Sequence, residues 1–441
     1  MDRQTETKSV GVSEGTTQVG EIRARWAWVE PSVWTDRMLT ALENGVKGNV
    51  WFSLIDKVYA RGNLLSAFAE VKANDGACGV DHQTIEEYEK NLEANLEKLS
   101  EQLREGTYQP QAIRRHWIPK LGSKEKRPLG IPTVRDRVAQ SGLRHAVEPI
   151  FERDFAEQSY GFRPNRGCKD ALRRVDELLK AGYTQVVDAD IKSYFDTIPF
   201  ESLMKRIEEK IADGRVLKLM RVYLSQRVMD GMEEWTPTEG TPQGAVLSPL
   251  LSNIYLNPLD HLMVQRKVEM VRYADDFVLL CRSQEEAQQA LMWVRQWIEE
   301  AGLTLHPAKT MIVDATQEGF DFLGYRFERG HRWPRAKSLQ KFEDTIRAKT
   351  QRSNGQSLSY VIANVNRTTK GWFEYFKHSR RRTFLKEDLW IRMRMRSMLR
   401  KRTKQKGRGG GWDCVRWPNK FFVKQGLFSM VKAHAVICQS A

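Results

Sequence analysis

The stretch VEMVRYADDFVLLCR, residues 268–282, sets Asp275 and Asp276 side by side between two apolar runs. The apolar residues on either side predict two short strands joined by a tight turn that carries the carboxylates. Two adjacent carboxylates against apolar strands repel each other and suit burial poorly unless positive charge sits beside them. Aspartate is also a common turn former, so the pair alone is compatible with a purely structural turn. Two divalent cations would resolve the repulsion, and a two-metal centre is common machinery for phosphoryl transfer. Such a centre needs a further carboxylate from a neighbouring strand. YTQVVDADI (183–191) reads as that strand, with Asp188 and Asp190 two apart and therefore on one face. Asp196, in SYFDTI, falls past its end. Together with the turn TPQGAVLSP (241–249) and a basic C-terminal quarter, the two segments suit a nucleic-acid polymerase.

Working outward, the 441 residues divide by composition and period. Residues 1–25 are polar and lack hydrophobic periodicity, so they read as a disordered tail. Residues 32–72 look helical, and Ile85 to Leu103 hold a register that predicts one amphipathic helix over 84–103. AIRRHWIPK (112–120) and GSKEKRPLGIP (122–132) predict an interrupted β-ribbon closed by prolines. Strands and helices interleave from about 110 to 330, and 335–405 is almost wholly helical, which makes an α+β body followed by a helical module. No run approaches the roughly 18 apolar residues of a membrane span. The N-terminus carries no apolar core of a secretory signal, and five scattered cysteines form no zinc spacing. These features predict a soluble chain of a reducing compartment.

Charge is uneven. From Arg332 to Ala441 there are 27 Lys+Arg and 6 Asp+Glu, a net of +21, which leaves −6 for the preceding 331 residues. Arg392, Arg394, Arg396, Arg400, Lys401, Arg402, Lys404, Lys406 and Arg408 fall within 17 residues. Such a run is often only a solvated face. Here aromatics interleave with it, Trp372, Phe373, Tyr375 and Phe376 before and Trp412, Trp417, Phe421 and Phe422 after, which favours RNA or DNA as the partner and not a membrane.

Tyr273-Ala274-Asp275-Asp276 together with Asp190-Ile191-x-x-x-Phe195-Asp196 resembles the palm of a reverse transcriptase, and the chain as a whole resembles the reverse transcriptase/maturase proteins of bacterial group II introns. The matching segments include GVD (79–81), IPKLGSKEKRPLGIPTVRDRVAQ (118–140), EPIFERDFAEQSYGFRPNRG (148–167), EGTPQGAVLSPLLSNIYL (239–256), LHPAKT (305–310) and FDFLGYRF (320–327). NVNRTTKGWFEYF (364–376) resembles the family's thumb, or maturase, domain. RWPNKFFVKQGLFS (416–429) and VWTDRMLTALENGVKGNVWFSLIDKVYA (33–60) resemble the ends of the class without an endonuclease, group IIC.

The resemblance implies a right-hand polymerase: the tail, an N-terminal helical extension (26–71), fingers and palm (72–330), a thumb (331–405) and a basic DNA-binding region (406–441) with no endonuclease domain. It implies that Asp190, Asp275 and Asp276, with the Ile191 carbonyl, hold two Mg²⁺, Mn²⁺ being a substitute. Asp188 faces the same way as Asp190, but the family's aromatic stands five residues beyond the metal aspartate, and Phe195 does so from Asp190. Phe195 is then the gate that admits dNTP and excludes rNTP. Lys120 and Arg127 grip the triphosphate, and Gln243 lies by the sugar. Lys309 lies near primer or nucleotide, with an ordinary loop lysine as the other reading. Arg392, Arg394, Arg396, Arg400, Lys401 and Arg402 contact nucleic acid. Arg163 is structural or template-facing, and His306 is incidental. The implied partners are structured group II intron RNA, an RNA template with a DNA primer, and a DNA target, in a cytoplasmic protein that joins the nucleoid during insertion. Oligomeric state leaves no mark in the sequence. The implied function is splicing assistance and reverse transcription during retrohoming. The alternatives are a non-catalytic RNA-binding splicing factor, or a domesticated reverse transcriptase of DNA repair or defence.

Overall fold

A computed structural model describes residues 14–119, 126–407 and 410–439. Its strands are β1 (Ile113–Pro119), β2 (Lys126–Ile131), β3 (Gln185–Asp190), β4 (Val228–Asp230), β5 (Glu233–Trp235), β6 (Glu269–Tyr273), β7 (Asp276–Cys281), β8 (Met311–Asp314), β9 (Phe320–Phe322), β10 (Tyr325–Glu328) and β11 (His331–Pro334). They form three sheets, ordered β2-β1-β4-β5, β6-β7-β3-β8 and β11-β10-β9.

The ribbon read from 112–132 is present as the antiparallel pair β1–β2, with Trp117 opposite Pro128. A parallel contact from β1 to β4 extends it into the finger sheet. The central sheet is antiparallel throughout and is buried on both faces. On one side, Val187, Ala189, Phe277 and Leu279 join the main core with the helices Val134–Glu152, Ser248–Gln265 and Gln284–Glu300. On the other, Val186, Val271, Val278 and Leu280 pack with the helix Cys168–Lys180 and the small sheet, through Phe320, Phe322, Tyr325 and Phe327. Strands buried on both faces read as continuous apolar runs, which is why the acidic interruption in them stood out.

Two expectations give way. Within the stretch read as disordered, Glu14–Arg25 is a helix, while residues 1–13 lie outside the described residues. Tertiary contacts hold the helix: Arg23 donates to Asp36 Oδ1 at 2.7 Å and to the Trp34 carbonyl at 3.0 Å, and Trp26, just past its end, is buried. Composition registers none of these partners. The single helix expected over 84–103 is two, Ile85–Lys90 and Leu92–Glu105, broken at Asn91. Asn91 leaves helical geometry, and the Asn95 side-chain amide donates to the Tyr88 carbonyl at 2.9 Å, so the break keeps its hydrogen bonds.

The helical module comprises Ala336–Lys349, Leu358–Phe376 and Arg381–Arg402. Phe422, Leu427 and Met430 enter its core beside Phe384, Met395 and Met398, so the C-terminal segment and the three helices share one apolar interior. No helix among the described residues is long and apolar enough to cross a membrane.

Candidate active site

The strand register assembles the carboxylates. Asp190 ends β3 directly opposite Asp276, the first residue of β7, and Tyr273 pairs with Asp276 across the neighbouring ladder. Ala274 and Asp275 are therefore the two turn residues, with Ala274 at φ +60°. Asp188 lies two residues back on the Asp190 face, opposite Val278. The end of β3 is pinned by the His306 N–H, which donates to the Asp190 carbonyl at 2.7 Å. Ile191 follows, buried and bridged to Leu305. That bond gives His306 a backbone role that its side-chain chemistry did not announce.

Electrostatically the site is over-acidic. Burial, then repulsion from Asp188 and Asp275, pushes the Asp276 carboxyl up to about 7. Burial, then Asp321 and Asp190, pushes Asp188 up to about 6. Burial also raises Asp275, with repulsion from Asp190 adding to it. Lys309 Nζ donates to Asp190 Oδ2 at 2.7 Å, so an ammonium sits on one of the carboxylates. Among the described residues no three acidic, histidine or cysteine side chains yet surround a single metal position. The donor set nonetheless fits hard divalent cations, which take oxygen ligands and remove the repulsion that raises these groups.

Of the residues expected on the nucleotide side, Arg127, Gln243 and Phe195 come together. Arg127 Nε donates to Gln243 Oε1 at 2.7 Å, and the Gly130 N–H donates to the Gln243 carbonyl at 2.6 Å. These bonds dock the finger ribbon on the turn before the helix Ser248–Gln265. Gly244, at φ +103°, makes that approach feasible, since a Cβ there would stand 2.5 Å from the Gly130 carbonyl oxygen. Phe195 is buried and its carbonyl accepts the Thr241 N–H at 2.6 Å. Phe195 and Gln243 face a cavity of about 410 Å³, with Asp196, Arg115 and Trp235 among its other walls. Lys120 lies outside the described residues. Arg163 is 7 % exposed and grips Glu152 at 2.7 Å and the Ala156 carbonyl at 2.6 Å, the structural of its two expected roles.

The basic run behaves differently from its charge count. Arg392 pairs with Asp388 at 3.4 Å. Arg394 donates to Thr350 Oγ1 and to the Arg347 and Thr350 carbonyls. Arg396, 6 % exposed, donates to the Trp417 carbonyl at 2.9 Å and to Asn419 Oδ1 at 2.7 Å. Arg400 pairs with Asp413 at 2.7 Å, and Arg402 donates to the Asn354 and Gln356 carbonyls. All five have partners within the fold, although Arg402, like Lys401, is exposed. Of the six residues expected to contact nucleic acid, five have intramolecular partners in this conformation.

An antiparallel sheet with three carboxylates where its two inner strands meet at one end, preceded by a finger ribbon and followed by a helical thumb, defines a template-copying polymerase. Residues 118–327 match the reverse transcriptase (RNA-dependent DNA polymerase) family, and residues 339–416 match the group II intron, maturase-specific domain. Protein YkfC of Escherichia coli K12 is 33% identical over 345 residues, covering 69% of this chain and 86% of that protein. The group II intron-encoded protein LtrA of Lactococcus lactis subsp. cremoris is 37% identical over 208 residues, 47% of this chain and 34% of its own length. Among solved structures, a partial Cas6-RT-Cas1–Cas2 complex aligns with 56% of this chain and 41% of that chain at 26% identity, with a TM-score of 0.37. The chain belongs to the group II intron reverse transcriptase/maturase family. It is an RNA-directed DNA polymerase, and its chemistry is metal-dependent nucleotidyl transfer.

Proposed function

We propose that this protein binds a structured group II intron RNA, assists its splicing, and copies it into cDNA from dNTPs after insertion into a DNA target. The observation that carries the chemical part is the register placing Asp190 opposite Asp276, with Asp275 in the adjoining turn. Asp190, Asp275, Asp276 and the Ile191 carbonyl hold two Mg²⁺, with Mn²⁺ as a substitute. When bound, the ions activate the primer 3′-hydroxyl and neutralise charge on the triphosphate and leaving pyrophosphate.

The chain's own residues do the positioning. Arg127, already oriented by Gln243, receives the triphosphate, joined by Lys120 from the ribbon. Gln243 and Phe195 flank the sugar, and the Phe195 ring closes the space a 2′-hydroxyl needs. Lys309 donates to Asp190, and would turn to the incoming phosphate where Asp190 held a divalent ion. The thumb contacts RNA through exposed cations such as Lys401, and the C-terminal segment contacts target DNA through others such as Lys406. The group IIC class and a cytoplasmic, nucleoid-associated location complete the proposal.

Self-splicing of the intron flanking the reading frame tests the maturase part. At limiting Mg²⁺, added protein is expected to increase ligated exons, and Asp275→Ala is expected to do so equally well. Absence of a ribozyme around the reading frame, or no gain in ligated exons, would move the protein to the domesticated class.

A further inference from the structure

We propose that Arg272 is a positioning residue for the metal-binding turn, holding Asp275 and Asp276 in place through the carbonyl of Ala274. The proposal rests on reading Asp190, Asp275 and Asp276 as metal ligands. Arg272 lies in β6, in a run that is otherwise apolar up to the turn, Met270-Val271-Arg272-Tyr273. Its side chain and that of Asp260, on the helix Ser248–Gln265, are both 0% exposed. Arg272 Nε donates to Asp260 Oδ1 at 2.7 Å and Nη2 donates to Oδ2. The Asp260 carboxylate outweighs the cost of burial and keeps the guanidinium charged.

That pair alone would be an ordinary buried salt bridge. The remaining terminal nitrogen gives it a purpose: Nη1 donates to Asn253 Oδ1 and to the Ala274 carbonyl, both at 2.9 Å. Four of the five guanidinium N–H donors are thereby committed. Ala274, at φ +60°, is a strained turn position for a residue with a Cβ, and its carbonyl needs a holder. The opposite side of the turn is held by Gly161, where a Cβ would stand 2.3 Å from the Ala274 nitrogen. The two holds are linked, because Asn253 Nδ2 donates to the Gly161 carbonyl at 2.8 Å. One residue earlier, the Ser252 carbonyl accepts the Tyr194 hydroxyl at 2.7 Å, next to Phe195. The helix therefore registers the acidic turn, the loop pressed against it and the gate segment against one another.

Two repelling carboxylates, one in a two-residue turn and one on the strand residue after it, present a fixed set of oxygens only if the backbone beneath them is fixed, and outer partners of metal ligands commonly set affinity. Lysine at 272 would keep a charge beside Asp260 but has no fork to reach Asn253 and the Ala274 carbonyl together.

The test is Mn²⁺ binding to the full chain, followed by electron paramagnetic resonance, beside thermal melting and primer–template affinity. The variants are Arg272→Lys, the paired Arg272→Met with Asp260→Leu, and Asp275→Ala. The paired variant removes both buried charges and so guards against misfolding. The expected result is loss of the ion in Asp275→Ala and about 10–100-fold weaker Mn²⁺ binding in whichever position-272 variants fold, with primer–template affinity unchanged. Wild-type Mn²⁺ affinity in a folded position-272 variant, with Asp275→Ala still losing the ion, would overturn the positioning role and leave the metal site standing. Retention of Mn²⁺ by Asp275→Ala would overturn the metal-site reading and this proposal with it.

Discussion

The palm and the thumb both concentrate charge, and they dispose of it in opposite ways. In the palm, Asp188, Asp275 and Asp276 are all raised, first by burial and then by neighbouring carboxylates, and Asp190 is met by the Lys309 ammonium. In the thumb, Arg392 and Arg400 have carboxylates, and Arg394, Arg396 and Arg402 have carbonyl or side-chain oxygens of their own fold. Charge left uncompensated at a structural cost marks chemistry, because only a ligand or substrate can relieve it. Charge that is already paired marks architecture, whatever its density along the chain.

The sharpest way to break this contrast is Arg396→Ala. If Arg396 is architectural, the thumb loses about 2–4 kcal/mol from broken charged hydrogen bonds and lost packing on Phe422, seen as a lower Tm. Its salt slope for RNA binding should stay as in the wild type. A changed slope with an unchanged Tm would place Arg396 on the nucleic acid.

If Phe195 is a steric gate, Phe195→Ala is expected to relax the preference for dNTP over rNTP by about 10–100-fold. Unchanged sugar selectivity would return Phe195 to the core, where its burial already gives it a packing role.

The acidic side of the contrast predicts a pH dependence. A carboxyl whose folded value is about 7 stabilises the fold while protonated, and that stability is lost as pH rises through that value. Metal-free protein should therefore melt lower at about pH 8 than at about pH 6. Asp276→Asn should flatten part of this slope, and divalent ion should recover the melting temperature at the higher pH. The smallest effect belongs to the exposed lysines: each of Lys401, Lys404 and Lys406 changed to Ala should reduce the salt slope of binding by about 0.7–0.9 if it meets a phosphate.

Much of the palm was legible because its information is local. Continuous apolar runs interrupted by carboxylates give the strands, their turn and the shared face of Asp188 and Asp190 without knowledge of the partner strand. The register of Asp190 against Asp276 is tertiary, and only its outcome could be inferred. The same limit hid the helix Glu14–Arg25, whose stability lies in contacts with Asp36 and Trp34, and the break at Asn91, which an amide four residues on repairs. It also hid which arginines are spent, because Arg396 and Lys401 look alike until Trp417 and Asn419 are seen beside one of them. Arg272 did leave a trace: an arginine inside an apolar strand needs a buried acid, and Asp260 in the apolar run of SNIYLNPLD (252–260) is its complement.

Primer extension on an RNA template with dNTPs and Mg²⁺, wild type beside Asp275→Asn, tests the central claim most directly. The uncompensated carboxylates are assigned to metal, so the variant should make no cDNA while binding the primer–template within a few-fold of wild type. cDNA synthesis by Asp275→Asn at the wild-type rate would contradict the account, because the charge left open in the palm would then not be the charge that the reaction uses.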